Sequence, residues 1–151
     1  MVTFRNQIDI EASPEAVFDE LSDVRHEQRW SDKLTSIELL TPEPIQVGSR
    51  LRAKWSGAPE NELVYRQFDR PFQWVTESRS WMLSVEVLLE LEPTATGSRL
   101  LSTWTLKPRG PLRLLSPMLK RAFNKDVAAN MISAKAHVEQ LTRADQLITG
   151  P

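Results

Sequence analysis

Two histidines, His26 and His137, and no cysteine limit the chemistry this chain of 151 residues can carry. Without a thiol there is no disulfide, no thiolate nucleophile and no Cys-based zinc or iron–sulfur site. The two histidines are far apart and neither stands in the helical spacing of zinc enzymes, so no metal is expected. Gly48, Gly57 and Gly97 are isolated turn glycines that build no phosphate cradle, no Ser/His/Asp arrangement is recognisable, and no cofactor is expected. What remains is aromatic and amide chemistry. Trp30, Trp55, Trp74, Trp81 and Trp104 offer flat apolar walls, each with an indole N–H that wants a partner when buried. Two uses are open to them, filling a core or lining a pocket for an apolar small molecule.

Asp126, Asn130, Ser133 and His137 recur at spacings of four, three and four, which places them on one helix face. That face is either a solvated flank or the edge of a cavity. Asn130 lies nearest the apolar stripe of the same helix, and Asn6, Ser102 or water would meet its amide. Phe123, Asn130 and Ala134 are the helix's contribution to the expected ligand wall. A second feature is basic: Lys107, Arg109, Arg113, Lys120, Arg121 and Lys125 alternate with Leu112, Leu114, Leu115, Met118 and Leu119, with no acid among them. This is either a solvated helix face or a surface for weak contact with an anionic membrane. With 19 Lys+Arg against 20 Asp+Glu, the net charge of −1 supplies no global field for nucleic acid. Inward tryptophans are no stacking platform either, so no nucleic-acid partner is expected.

The length and the 40% hydrophobic, 26% charged composition predict one domain with its own core. Phe4, Ile8 and Ile10 alternate with polar residues, a strand with Asn6 as the polar exception on its inner face. Ser13-Pro14-Glu15 is an N-cap, a proline at the first helical position and an acid in the first turn, predicting a helix from Pro14 to Leu21. Ser22-Asp23 caps a second short helix reaching Trp30. Six strand-like runs follow, near 34–41, 49–56, 61–69, 72–79, 82–92 and 98–107, separated by turn residues and therefore antiparallel. Leu51, Ala53 and Trp55 share the inner face, as do Phe72, Trp74 and Thr76, and Leu100, Ser102, Trp104 and Leu106. Trp81 opens the sixth strand. From Leu112 or Pro117 to about Thr142, apolar residues at spacings of three and four predict a long helix lying on the sheet. The domain is 1–143, and 144–151 is a frayed tail. Apolar runs never exceed three residues, so neither a membrane span nor a secretory core is expected, and the default location is cytoplasmic.

These elements make an α+β helix-grip fold: a seven-stranded curved antiparallel sheet wrapped around a long C-terminal helix, with two short helices between strands 1 and 2. The motifs Ile10-Glu11-Ala12-Ser13-Pro14-Glu15-Ala16-Val17-Phe18, Asp23 to Trp30, Val47-Gly48-Ser49-Arg50-Leu51, Phe68-Asp69-Arg70-Pro71, Gly97-Ser98-Arg99-Leu100 and Leu106 to Leu112 follow one another along nearly the whole chain. In them the chain resembles the SRPBCC superfamily of START-related and pollen-allergen-like proteins, and within it the polyketide cyclase/dehydrase and lipid-transport branch. The resemblance implies binding or carriage of a hydrophobic lipid, isoprenoid or polyketide-like molecule between sheet and helix, with no covalent step. It leaves open an aromatase/cyclase-type enzyme, in which His26 with Asp23 or Glu27 would move protons, and an adaptor that contacts a partner protein.

Overall fold

Period-two alternation turns seven segments into strands in the computed structural model of the chain, which describes residues 1–149. They are β1 (Val2–Ile10), β2 (Leu34–Leu39), β3 (Arg50–Trp55), β4 (Asn61–Asp69), β5 (Gln73–Arg79), β6 (Leu83–Pro93) and β7 (Ser98–Pro108). Their order in the sheet is β1-β7-β6-β5-β4-β3-β2, antiparallel throughout. Short turns carry the chain from β2 to β7 as a meander, and β1 pairs with the last strand, Phe4 opposite Trp104 and Asn6 opposite Ser102. Register shifts between Leu34 and Ser36 in β2 and between Tyr65 and Gln67 in β4 bend the sheet. Leu51, Ala53, Leu63, Tyr65, Trp74, Leu100 and Leu106 are buried on the concave face. Arg50, Arg52, Lys54, Glu62 and Glu86 stay in water on the other.

The link from β1 to β2 crosses from one edge of the sheet to the other through two helices. Helix α1 (Pro14–Leu21) starts where the Ser13 hydroxyl accepts from the Ala16 N–H at 3.2 Å, and it buries Val17 and Phe18. The 3₁₀ helix η1 (Val24–Arg29) is capped by Asp23, whose carboxylate accepts from the Arg25 N–H at 3.0 Å. After β7 come a second 3₁₀ helix, η2 (Gly110–Leu115), and the long helix α2 (Ser116–Thr149).

Helix α2 runs alongside β1 in the same direction. The Asn6 amide donates to Asn124 at 2.7 Å, Lys135 to the Asp9 carbonyl at 2.5 Å, and the Glu11 N–H to Glu139 at 2.8 Å. Val127, Met131, Ala134 and Val138 form its buried stripe. At the far end of the sheet the β6–β7 turn sits tight against the β1–α1 junction, with Ser98 Oγ donating to the Ala12 carbonyl at 2.6 Å. A Cβ on Gly97 would lie 2.3 Å from the Ile10 carbonyl oxygen and 2.7 Å from the Ala12 nitrogen, both rigid backbone, so only glycine fits.

Three expectations are corrected. Trp81 does not open a strand. The Ser80 N–H donates to the Leu83 carbonyl at 2.9 Å, closing a hairpin with Trp81 and Met82 at its tip, and Trp81 is 78% exposed. Phe72, expected inward, stands in the β4–β5 turn that the Phe72 N–H closes onto the Asp69 carbonyl, and it is exposed. The long helix, expected to end near Thr142, runs to Thr149, with Leu147 and Ile148 in water, while Gly150 and Pro151 of the expected tail lie outside the described residues. Among the described residues no helix is long and apolar enough to cross a membrane.

Candidate functional site

A 3₁₀ helix repeats every three residues, so Val24, Glu27 and Trp30 line up along one side of η1 and its C-cap. Val24 packs on the core, which turns that side inward. Tyr65 anchors the start of the line: its hydroxyl, on the concave face of β4, donates to the Ser22 carbonyl at 2.6 Å and accepts from the Val24 N–H at 3.0 Å. Glu27 then meets both layers of the fold. Its Oε2 accepts from Trp55 Nε1 of β3 at 2.5 Å, and its Oε1 accepts from Asn130 Nδ2 of α2 at 3.1 Å. Asn130 Oδ1 in turn accepts from Trp30 Nε1 at 3.0 Å.

Sheet, 3₁₀ helix and long helix are thus joined by one polar chain, Trp55 to Glu27 to Asn130 to Trp30. No cation contacts the Glu27 carboxylate among the described residues. Burial pushes its carboxyl above the usual range, and the hydrogen bonds from Trp55 and Asn130 only partly oppose that.

The remaining polar stripe of α2 faces η1 and the loop after it. Asp126 pairs with Lys33 at 3.0 Å. The His137 ring lies tilted against Trp30 with ring centroids 5.4 Å apart, and its Nε2 lies 2.9 Å from Glu20 of α1. Burial alone would raise the Glu20 carboxyl, but hydrogen bonds from His137 and Arg29 outweigh it and hold the group below the usual range. Trp30, Lys33, Asp126, Asn130 and Ser133 border a groove of about 270 Å³ along this seam. His26 turns to α1, with its Nδ1 2.9 Å from the Glu20 carbonyl, and so points away from the interior. Asn6, considered as the partner of Asn130, bonds Asn124 instead, and Ser102 lies against the Met131 sulfur at 3.6 Å.

Of the expected wall, Trp30, Trp55 and Asn130 come together in this chain. Trp104 and Phe123 form a second, separate group, Trp104 stacked on Phe4 at 6.0 Å and tilted against Phe123 at 6.2 Å. Ala134 is buried on α2, one helical turn beyond Asn130. Trp74 faces inward and is 2% exposed, but α1 covers it: its ring meets Phe18 edge-on at 5.3 Å, in a filled part of the core. Trp81 stands apart at the hairpin tip.

On the concave face toward the N-terminal half of α2, Trp55, Thr76, Ser78, Leu83, Trp104 and Phe123 are only half-buried. This is the stretch where α2 backbone follows β1 and stands off the middle strands. A larger groove, about 500 Å³, crosses the convex face. It is lined by Val64 and by Arg50, Glu62, Arg66, Glu77 and Arg79, whose charges pair with one another. Glu27 is the site residue that sequence reasoning met only as a neighbour of His26. The three-residue repeat from Val24 through Glu27 to Trp30 is the signal that marks it.

The family model for polyketide cyclase/dehydrase and lipid transport matches residues 1–139. No curated protein matches the chain in sequence. Among solved structures, a START superfamily protein from Mycobacterium smegmatis superposes with a TM-score of 0.78 at 16% identity, over 92% of this chain and 98% of that one. The di-domain ARO/CYC StfQ from the steffimycin biosynthetic pathway gives 0.78 at 13% identity, over 93% of this chain and 52% of its own, so this chain spans about half of it. Ara h 8.0201 gives 0.71 at 14% identity, over 91% and 97%. At these identities the likeness is one of fold.

Proposed function

The chain belongs to the polyketide cyclase/dehydrase and lipid-transport family, and from that premise we propose that it binds a hydrophobic small molecule, lipid, isoprenoid or polyketide-like, between the concave sheet and α2. The observation that carries this reading is the pair of half-buried groups on the concave face, Trp104 with Phe123 at the β7 side and Trp55 with the Glu27–Asn130 pair at the β3 side. Apolar burial of about 25 cal/mol per Å² drives binding, and the polar pair orients the ligand's oxygen or nitrogen. A carboxyl with a raised pKa suits this role, since it donates when protonated and accepts when ionised. No covalent step is needed, and a cytoplasmic setting belongs to the same reading.

Titration with a fatty acid and with an anilinonaphthalene dye tests the proposal through tryptophan emission. A saturable shift is expected, with Trp104→Ala and Phe123→Ala each weakening binding roughly tenfold or more, the value of one lost aromatic contact surface. Unchanged emission at saturating ligand would defeat it.

A second reading, an aromatase/cyclase-type enzyme, is favoured by one feature: burial raises the Glu27 carboxyl above the usual range, and a buried carboxyl of that kind suits a general acid or base. Incubation with a poly-β-ketone substrate separates the two. Turnover that Glu27→Gln abolishes while binding survives speaks for the enzyme, and binding without turnover speaks for carriage.

A further inference from the structure

Four large apolar side chains left in water lie at the end of the sheet where α2 begins. Trp81 at the β5–β6 hairpin tip is 78% exposed, Leu114 on η2 85% and Met118 in the first turn of α2 68%. Leu115 beside them is also exposed. Arg109 fastens these segments to one another: its N–H donates to the Met82 carbonyl at 2.9 Å and its guanidinium to the Ser80 carbonyl and to Ser84 Oγ, both at 2.5 Å. The hairpin tip and η2 are therefore one rim.

Around this rim the charge has a single sign. No acidic residue occurs from Pro93 to Lys125. Lys107, Arg113, Lys120, Arg121 and Lys125 are all exposed, and among the described residues none of them takes part in an ion pair. Met118, Arg121 and Lys125 follow at spacings of three and four, so the apolar tip and two of the cations share one helix face.

We propose that this rim docks on an anionic lipid bilayer. Trp81, Leu114, Leu115 and Met118 enter the interface, and Arg113, Lys120, Arg121 and Lys125 face the headgroups. A nucleic acid would satisfy the cations but leave four apolar side chains in water. A bilayer meets both, because an indole and aliphatic chains settle at the headgroup boundary while long basic side chains reach the phosphates above them. The proposal stands whichever molecule occupies the interior.

Sedimentation with vesicles of phosphatidylcholine alone, and of phosphatidylcholine mixed with phosphatidylglycerol, tests it at low and high salt. Binding to the mixed vesicles is expected, weakening with salt and absent on the neutral ones. Removing one charge should lower affinity about fivefold, and Arg113→Gln, Arg121→Gln and Lys125→Gln together roughly a hundredfold. Trp81→Ala with Met118→Ser should also weaken binding. Phe72→Ala, an exposed aromatic at the opposite end of the sheet, should not. Brominated lipid should quench emission of the unaltered protein more than that of Trp81→Phe, a difference that only insertion of Trp81 produces. Equal binding to both vesicles, no response to the Trp81 and Met118 changes, or displacement of the vesicles by duplex DNA at equal concentration would overturn the proposal. Circular dichroism of each variant guards against misfolding.

Discussion

Withdrawing the Glu27 carboxylate from water disfavours its charged form, and the hydrogen bonds from Trp55 and Asn130 recover only part of that loss. The folded chain therefore takes up a proton here at a higher pH than the unfolded chain does. By linkage, the stability contributed at this position falls as pH rises through the raised folded pKa, and it is constant above it. Glutamine is neutral at every pH. Glu27→Gln should accordingly gain stability relative to the parent as pH rises above the ordinary glutamate range and through the raised folded pKa. Any change in amide hydrogen bonding adds only an offset without slope. Urea denaturation of both proteins across that interval measures the difference, and a flat difference would show that Glu27 is solvated and ordinary. Asp23 runs the other way: burial opposes its charge, but bonds from the Arg25 side chain and N–H win, so its contribution is lost only as pH falls well into the acid range.

At the scale of elements, α1 and η1 cross the whole width of the sheet, and their junction is held from below by a single phenol. Tyr65 is 1% exposed, and its hydroxyl serves the Ser22 carbonyl and the Val24 N–H together. Tyr65→Phe would leave both backbone groups buried without partners, which costs about 1–3 kcal/mol. Chemical denaturation should show that loss. A change within the about 0.5 kcal/mol of an ordinary surface substitution would mean that water reaches both groups. The same junction directs the Val24, Glu27 and Trp30 side of η1 inward, so the variant should also loosen the Trp30–Asn130 contact.

For the whole molecule, the grip on α2 is local. Its buried residues run from Val127 to Val138, while before them only Leu119 and Phe123 pack, half-buried, on the core. The amides of 127–138 should exchange with solvent more slowly, by roughly tenfold or more, than those of 116–123 and 141–148, because opening the middle exposes more core than opening either end does. Hydrogen exchange read by mass spectrometry checks this, and uniform protection along the helix would contradict it. An apolar ligand under the first half of α2 should slow 116–123 selectively.

Local rules settled most of the fold before any contact was known. The Ser13 cap and Pro14 set α1 at Pro14–Leu21, and alternation with turn residues placed every strand within a few residues of its ends, since caps, turns and pleats depend on near neighbours. Where a local signal was ambiguous, longer-range structure decided. Trp81 is in phase with Leu83 and Val85, yet the Ser80–Leu83 turn closes before the pleat can turn it inward. Helix α2 continues past its apolar stripe through Arg143, Ala144 and Gln146, residues that favour helix without burial.

The site was legible only as parts. Spacing showed that Asp126, Asn130 and His137 share a face, but periodicity records only which residues face together, not what covers them. That η1 covers them, with Trp30 and Glu27 about a hundred positions away in the chain, follows from the crossing of α1 and η1 to the far edge of the sheet. Tertiary structure alone made a lone glutamate into a buried acid, because its partners come from two elements distant in sequence, Trp55 of β3 and Asn130 of α2.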